Sequence, residues 1–201
     1  MVLAQMGVSA NQLTVGWIIL GVVGVLTLGS GSYGARVAGA VLVEISYLFD
    51  YVDGEVARLQ GRTSSLGVLL DLAGHGVIKS ALFLAIGYGV FSWTHSSALL
   101  ILAFLACVGV ISGYMTPHFA AEAFPASGSS QFDGAANPAG GPSLKRVLRL
   151  LAAQGAYAFE SAGIYLLVLI GAVVDRLEWV VIFYGVFGPL WFVYRLAKYR
   201  P

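Results

Sequence analysis

Apolar residues gather into six runs separated by polar or glycine-rich breaks, near Leu13–Leu28, Ala35–Phe49, Leu66–Phe91, Ala98–Met115, Ala152–Val174 and Trp179–Leu196. Each run is close to the ~20 residues a helix needs to cross the hydrocarbon layer. The pattern predicts an all-α polytopic membrane protein, with six transmembrane helices in a single membrane-embedded domain over residues 1–201. The second run is short, and its helix is expected to continue past the membrane as far as Arg58. Gly21, Gly24, Ala35 and Gly39 recur at helical spacing and allow close helix contact. Ahead of the first run, Met1–Gln12 places Val2, Leu3 and Met6 on one side, which predicts a short interfacial helix. It lacks the basic start of a signal peptide and is expected to be retained. Between the fourth and fifth runs, about 121–142, the chain is rich in Gly, Ala, Ser and Pro, with Glu122 and Asp133 as its charges. Such a stretch cannot bury a core and reads as a flexible loop, either a linker or a lid.

Composition agrees with the runs. Hydrophobic residues make up 58% of the chain and charged residues 10%, against about 25% charged in a soluble domain, so this is an integral membrane protein. A net charge of +1 without a basic run argues against a nucleic-acid partner. The single Cys107 leaves no disulfide framework and reads as a small packing residue. Basic residues set the orientation. Arg58, Arg62, Lys145, Arg146, Arg149, Arg195, Lys198 and Arg200 fall on one side, and Arg36 and Arg176 on the other. Eight against two predicts that both termini face the cytoplasm. Lys145, Arg146 and Arg149, just after Pro142-Ser143, form a patch suited to anionic lipid headgroups.

Against this background, the stretch from Asp50 to His75 carries three aspartates, a glutamate, two arginines and a histidine. A carboxylate at the centre of a bilayer costs roughly 2.5–3.5 kcal/mol on insertion scales, so a cluster of them marks a functional site. Asp50, Asp53 and Ala57 fall at i, i+3 and i+7, on one face of a helix; Gly67, Asp71 and His75 fall at i, i+4 and i+8, on one face of another. Turned towards each other, these faces gather three carboxylates and an imidazole. Such oxygen-rich surroundings suit Mg²⁺, Mn²⁺ or Ca²⁺.

Asp50, Asp53, Gly54, Ala57, Arg58, Gly67 and Asp71 also stand at the spacing D-x2-D-G-x2-A-R-x8-G-x3-D. In this the chain resembles the CDP-alcohol phosphotransferases, whose signature adds x3-D, a position held here by His75. Ser9–Thr14 is similar to the P-N-x-L-T segment that opens many family members, with Ala10 in place of proline; an ordinary helix cap at Asn11 is the other reading. The resemblance implies six spans, a homodimer, and a site facing the cytoplasm of a bacterial or archaeal membrane. It implies attack of an acceptor alcohol on a CDP-linked donor, with release of CMP. One or two divalent ions, Mg²⁺ or Mn²⁺, are implied at Asp50, Asp53, Asp71 and His75. Asn11, Thr14, Asp53, Gly54, Ala57, Arg58 and Gly67 are implied to contact the nucleotide donor, with Arg58 on its phosphate. Asp71 and His75 are implied as catalytic. An imidazole accepts a proton near neutral pH as readily as a carboxylate, which makes His75 first a base, second a metal ligand, and third the mark of a relative with impaired catalysis.

Glu44, Lys79 and Glu160 are further ionisable residues expected inside spans. Lys79 either pairs with Glu44 or Glu160 to tie helices together, or lines the acceptor pocket. With so few embedded cations, the acceptor leans towards a neutral polyol or amino alcohol. His95 and His118 are expected as polar residues at segment ends. A six-span transporter that uses the embedded acids is the rival from another class.

Overall fold

Glycine decides how closely the first two helices meet. A side chain at Gly39 would run into the Leu28 backbone nitrogen and come within 2.6 Å of Gly24 O, and one at Gly24 within 2.9 Å of Val43 N. Backbones that approach this far leave no room for a Cβ, as in the small-residue contacts of membrane helices. The computed structural model describes residues 10–60, 65–123 and 157–199. Among them run six helices and no strand: α1 (Ala10–Leu28), α2 (Tyr33–Gln60), α3 (Ser65–Thr94), α4 (Ser97–Ala123), α5 (Ser161–Val173) and α6 (Leu177–Lys198).

The fold is all-α, and α1, α3, α4 and α6 are long and apolar enough to cross a membrane. The expected six such helices are four among the described residues. Helix α5 is apolar but only 13 residues long. Helix α2 has the length, 28 residues, but carries Arg36, Glu44, Asp50, Asp53 and Glu55 along it.

Other boundaries shift as well. Helix α1 begins at Ala10, so Asn11 and Gln12 belong to its first turn and not to an interfacial segment; residues 1–9 lie outside the described residues. Helix α2 continues past Arg58, as its pattern predicts. Helix α4 runs on to Ala123, while the rest of the expected 121–142 loop and the basic patch at Lys145, Arg146 and Arg149 lie outside the described residues. Glu160 was expected within the fifth span but sits exposed at the N-cap position of α5, after a turn closed by its own N–H to Tyr157 O.

Helix α1 packs on α2 and α3, α4 on α3 and α6, and α2 on α5. Ile78, Leu82, Ile86 and Val90 recur every fourth residue on α3 and are buried in the shared core, where Phe83 meets Tyr184 edge to face. The outward faces expose Ile19, Leu26, Leu84, Ile101 and Phe104; lipid is as apolar as these side chains and leaves them unpenalised. One end of the bundle is clasped by the buried Arg36. Its guanidinium pairs with Asp175, donates to Gly31 O at 2.8 Å and lies 4.6 Å from the Trp93 ring centroid. Asp175 adopts φ 60 in the α5–α6 turn, a left-handed conformation that Asp tolerates. Asp50 lies 14 residues further along α2, about 21 Å away at 1.5 Å per residue, so the functional groups gather at the opposite end.

Candidate functional site

Asp50 on α2 meets Asp71 and His75 on α3. His75 Nε2 lies 3.4 Å from Asp50 Oδ2 and 3.6 Å from Asp71 Oδ1. One ligand atom from each of the three falls within 4.8 Å of the others. The i, i+4 spacing of Asp71 and His75 stacks them on one face of α3, and the passage of α2 beside it brings Asp50 to the same point. Two carboxylates side by side repel unless a cation lies between them. Two carboxylates and an imidazole form a donor set that fits a hard or borderline divalent ion such as Mg²⁺ or Mn²⁺.

The fourth expected ligand stands apart from this group. Asp53 is buried, and its Oδ2 accepts hydrogen bonds from Thr14 Oγ1 and Trp17 Nε1, each at 2.7 Å. Thr14 and Trp17 are three residues apart on α1, hence on one face, so α1 supplies a pair of donors that orient the carboxylate. Trp17 was not anticipated. The signal that could have found it is an indole in the interior of an apolar helix, whose N–H needs a buried acceptor.

Of the residues implied to hold the donor, Asn11 lies one turn before Thr14 and is half-buried, Gly54 follows Asp53, and Gly67 lies in the first turn of α3. Ala57 and Arg58 belong to the last turns of α2; their side chains lie outside the described residues.

Lys79 continues the Asp71–His75 face by one turn and is 0% exposed. It pairs with neither Glu44 nor Glu160. Its Nζ donates to Ser161 Oγ at 2.8 Å, lies 3.5 Å from His75 Nδ1 and sits 4.1 Å from the Tyr114 ring centroid. The tie between helices is therefore a hydrogen bond and a cation–π contact rather than an ion pair. Beside it a cavity of about 220 Å³ is lined by Tyr47, Tyr114, His118, Glu160, Ser161 and Arg195, among others. His118 was expected as a polar residue at a segment end but faces this cavity, because α4 extends past Met115. Arg195 stacks on Trp191 at 4.9 Å and donates to Gly113 O at 3.3 Å.

The model of the CDP-alcohol phosphatidyltransferase family matches residues 7–191. No curated protein matches the chain at a significant level. Among solved structures, the phosphatidylinositol phosphate synthase (PgsA1) of Mycobacterium tuberculosis with CDP-DAG bound is similar at a TM-score of 0.72 and 20% identity, covering 98% of this chain and 89% of that one. The same enzyme in complex with manganese and citrate gives 0.72 at 21% identity, covering 98% and 85%. Its apo form gives 0.57 at 20%, covering 98% and 93%. At these identities the likeness is one of fold.

Proposed function

The chain belongs to the CDP-alcohol phosphatidyltransferase family, and from that premise we propose that it transfers a substituted phosphate from a CDP-linked lipid or alcohol donor to the hydroxyl of an acceptor alcohol, releasing CMP. The observation that carries this reading is the meeting of Asp50, Asp71 and His75 within 4.8 Å, in a family whose chemistry needs a cation beside the donor's pyrophosphate. A divalent ion bound there supplies Lewis acidity and neutralises phosphate charge. Asp50 and Asp71 would hold it, while Asp53 stands apart with the direction of its carboxylate fixed by its Thr14 and Trp17 contacts. Asn11, Gly54, Ala57 and Gly67 line the path of the nucleotide, and Arg58 binds donor phosphate.

His75 takes the proton of the acceptor hydroxyl as the oxygen attacks phosphorus. The acceptor enters by the small cavity beside Tyr114 and Ser161, whose volume lies below the roughly 300–1,000 Å³ of sites for drug-sized molecules. It is accordingly a small polar alcohol. Arg195 and His118 on the cavity wall weaken the lean towards an uncharged acceptor that sequence alone gave. Helices α2 and α5 complete six crossings of a bacterial or archaeal cytoplasmic membrane, with both termini and the site on the cytoplasmic side. As the family resemblance implies, the chain works as a homodimer. Mass spectrometry of products from a panel of CDP-linked donors and small alcohols tests the reading: CMP together with a phosphodiester product supports it, and no CMP from any pair contradicts it.

A second reading of His75 is favoured by its position. Its Nε2 faces both carboxylates, where it can serve as the third ligand. His75→Ala separates the two. A lost base lowers kcat by roughly 10²–10⁴ with Mn²⁺ affinity retained, whereas a lost ligand weakens Mn²⁺ binding measured by electron paramagnetic resonance without substrates. Unchanged rate and unchanged Mn²⁺ affinity would contradict both.

A further inference from the structure

The small cavity beside Tyr114 and Ser161 carries one fixed charge of each sign. Glu160, at the N-cap position of α5, and Arg195, on α6, both line it. Among the described residues neither forms an ion pair, with the other or with any third group. Glu160 is not engaged as a cap either, since its side chain makes no hydrogen bond to the first turn of α5. Ionisable groups in a membrane bundle face its interior or a water-filled cavity and mark substrate paths. Two opposite charges left unpaired around a space of about 220 Å³ therefore describe the charges of what fits there.

The Arg195 guanidinium is held in place without being used up. It lies 4.9 Å from the Trp191 ring centroid and gives an N–H to Gly113 O at 3.3 Å, and a guanidinium carries five N–H donors in a planar fork that matches a carboxylate. Ser161 adds a second donor: its Oγ accepts from Lys79 at 2.8 Å, so its own proton can be given to a guest in the cavity. Glu160 is exposed and, when ionised, offers acceptors only, which suits an ammonium. Tyr114 joins the cavity to the reacting groups, for it lines the one and lies 5.7 Å, ring to ring, from His75. A neutral polyol would leave both charges without a partner, and a phosphate ester would bring its negative charge beside Glu160.

We propose that the acceptor is a small zwitterionic alcohol, a β-hydroxy-α-amino acid, whose ammonium is received by Glu160 and whose carboxylate is received by Arg195 and Ser161, with its hydroxyl directed past Tyr114 to His75. This rests on the proposed transfer reaction and names the acceptor class of that same site. The acceptor oxygen forms a bond to the donor phosphorus distal to cytidine, the bond from that phosphorus to the CMP oxygen breaks, and CMP leaves with the bonding electrons. The hydroxyl proton passes to His75 and then to water. The product is a phosphodiester that keeps the ammonium and the carboxylate.

The test uses the full chain in proteoliposomes with Mn²⁺ and CDP-diacylglycerol. CMP release is measured with serine, ethanolamine, 3-hydroxypropionate, glycerol and glycerol 3-phosphate as acceptors. Serine should have the highest kcat/KM, about 10–100-fold above ethanolamine, which lacks the carboxylate, and 3-hydroxypropionate, which lacks the ammonium; that is the factor carried by one charge-assisted hydrogen bond. Glu160→Gln should bring the ratio of serine to 3-hydroxypropionate close to one, and Arg195→Gln should do the same for serine to ethanolamine, a crossed change in preference that a loss of structure does not produce. If Arg195→Gln does not accumulate as folded protein, the wild-type panel and Glu160→Gln carry the test. Preference of the wild type for glycerol, glycerol 3-phosphate or either single-charge analogue over serine would overturn the proposal, as would ratios unchanged in the variants, and in each case the proposed reaction would stand. Failure to release CMP with every acceptor would overturn the proposed reaction and this proposal with it.

Discussion

Asp53 illustrates how much one residue in this protein depends on others far away in sequence. Its carboxylate accepts from Thr14 and Trp17, 39 and 36 residues earlier. Hydrogen bonds to a charged acceptor contribute about 1.5–3 kcal/mol each. Trp17→Phe keeps most of the ring and removes the N–H, so it should lower stability by about that amount and weaken donor or metal binding through a loosened Asp53. Denaturation in detergent micelles and Mn²⁺ titration check this, and a variant with wild-type stability and affinity would show that the contact is incidental. Asp50, Asp71 and His75 were legible in the sequence because helical spacing alone puts such residues on shared faces. Trp17, the Lys79–Ser161 bond and His118 were not, because they depend on which faces of α1, α4 and α5 turn inward, and no single helix encodes that. Lys79 was singled out, but with carboxylate partners; a buried ammonium is satisfied as well by a hydroxyl and an aromatic face, and sequence gives no means of choosing.

At the scale of helices, the approach of α1 to α2 lets Thr14 and Trp17 reach Asp53. Gly24 and Gly39 permit that approach, and a Cβ at Gly39 would meet backbone rather than a side chain able to move aside. Gly39→Val should therefore destabilise the protein by about 1–3 kcal/mol, the usual cost of overpacking. It should also lower Mn²⁺ affinity, although residue 39 lies far from the carboxylates along α2. A thermal midpoint and affinity equal to wild type would contradict this. The small-residue spacing was readable in the sequence, as were the existence and order of the described helices. The end of α4 was less so: its last turns, Tyr114 to Ala123, contain Pro117, His118 and Glu122, and their polarity reads as a loop although the backbone stays helical. The count of spans is legible only in part, because α2 is long enough to cross yet carries charge along its length.

For the whole molecule, the bundle divides its two ends by task. At one end Arg36, Trp93 and Asp175 fasten three connections together; at the other Asp50, Asp71 and His75 face one another beside a small polar cavity. Given that division, and membership of the CDP-alcohol phosphatidyltransferase family over residues 7–191, the proposed reaction depends on the carboxylate pair and the cation it would hold. The most direct test is CMP release from a CDP-linked lipid donor in proteoliposomes as Mn²⁺ is titrated, for wild type, Asp50→Asn and Asp71→Asn. Wild type should release CMP only with divalent metal and stop when chelator is added, and both variants should fall to background while remaining folded. CMP release that persists in chelator, or at the wild-type rate in either variant, would contradict the assignment.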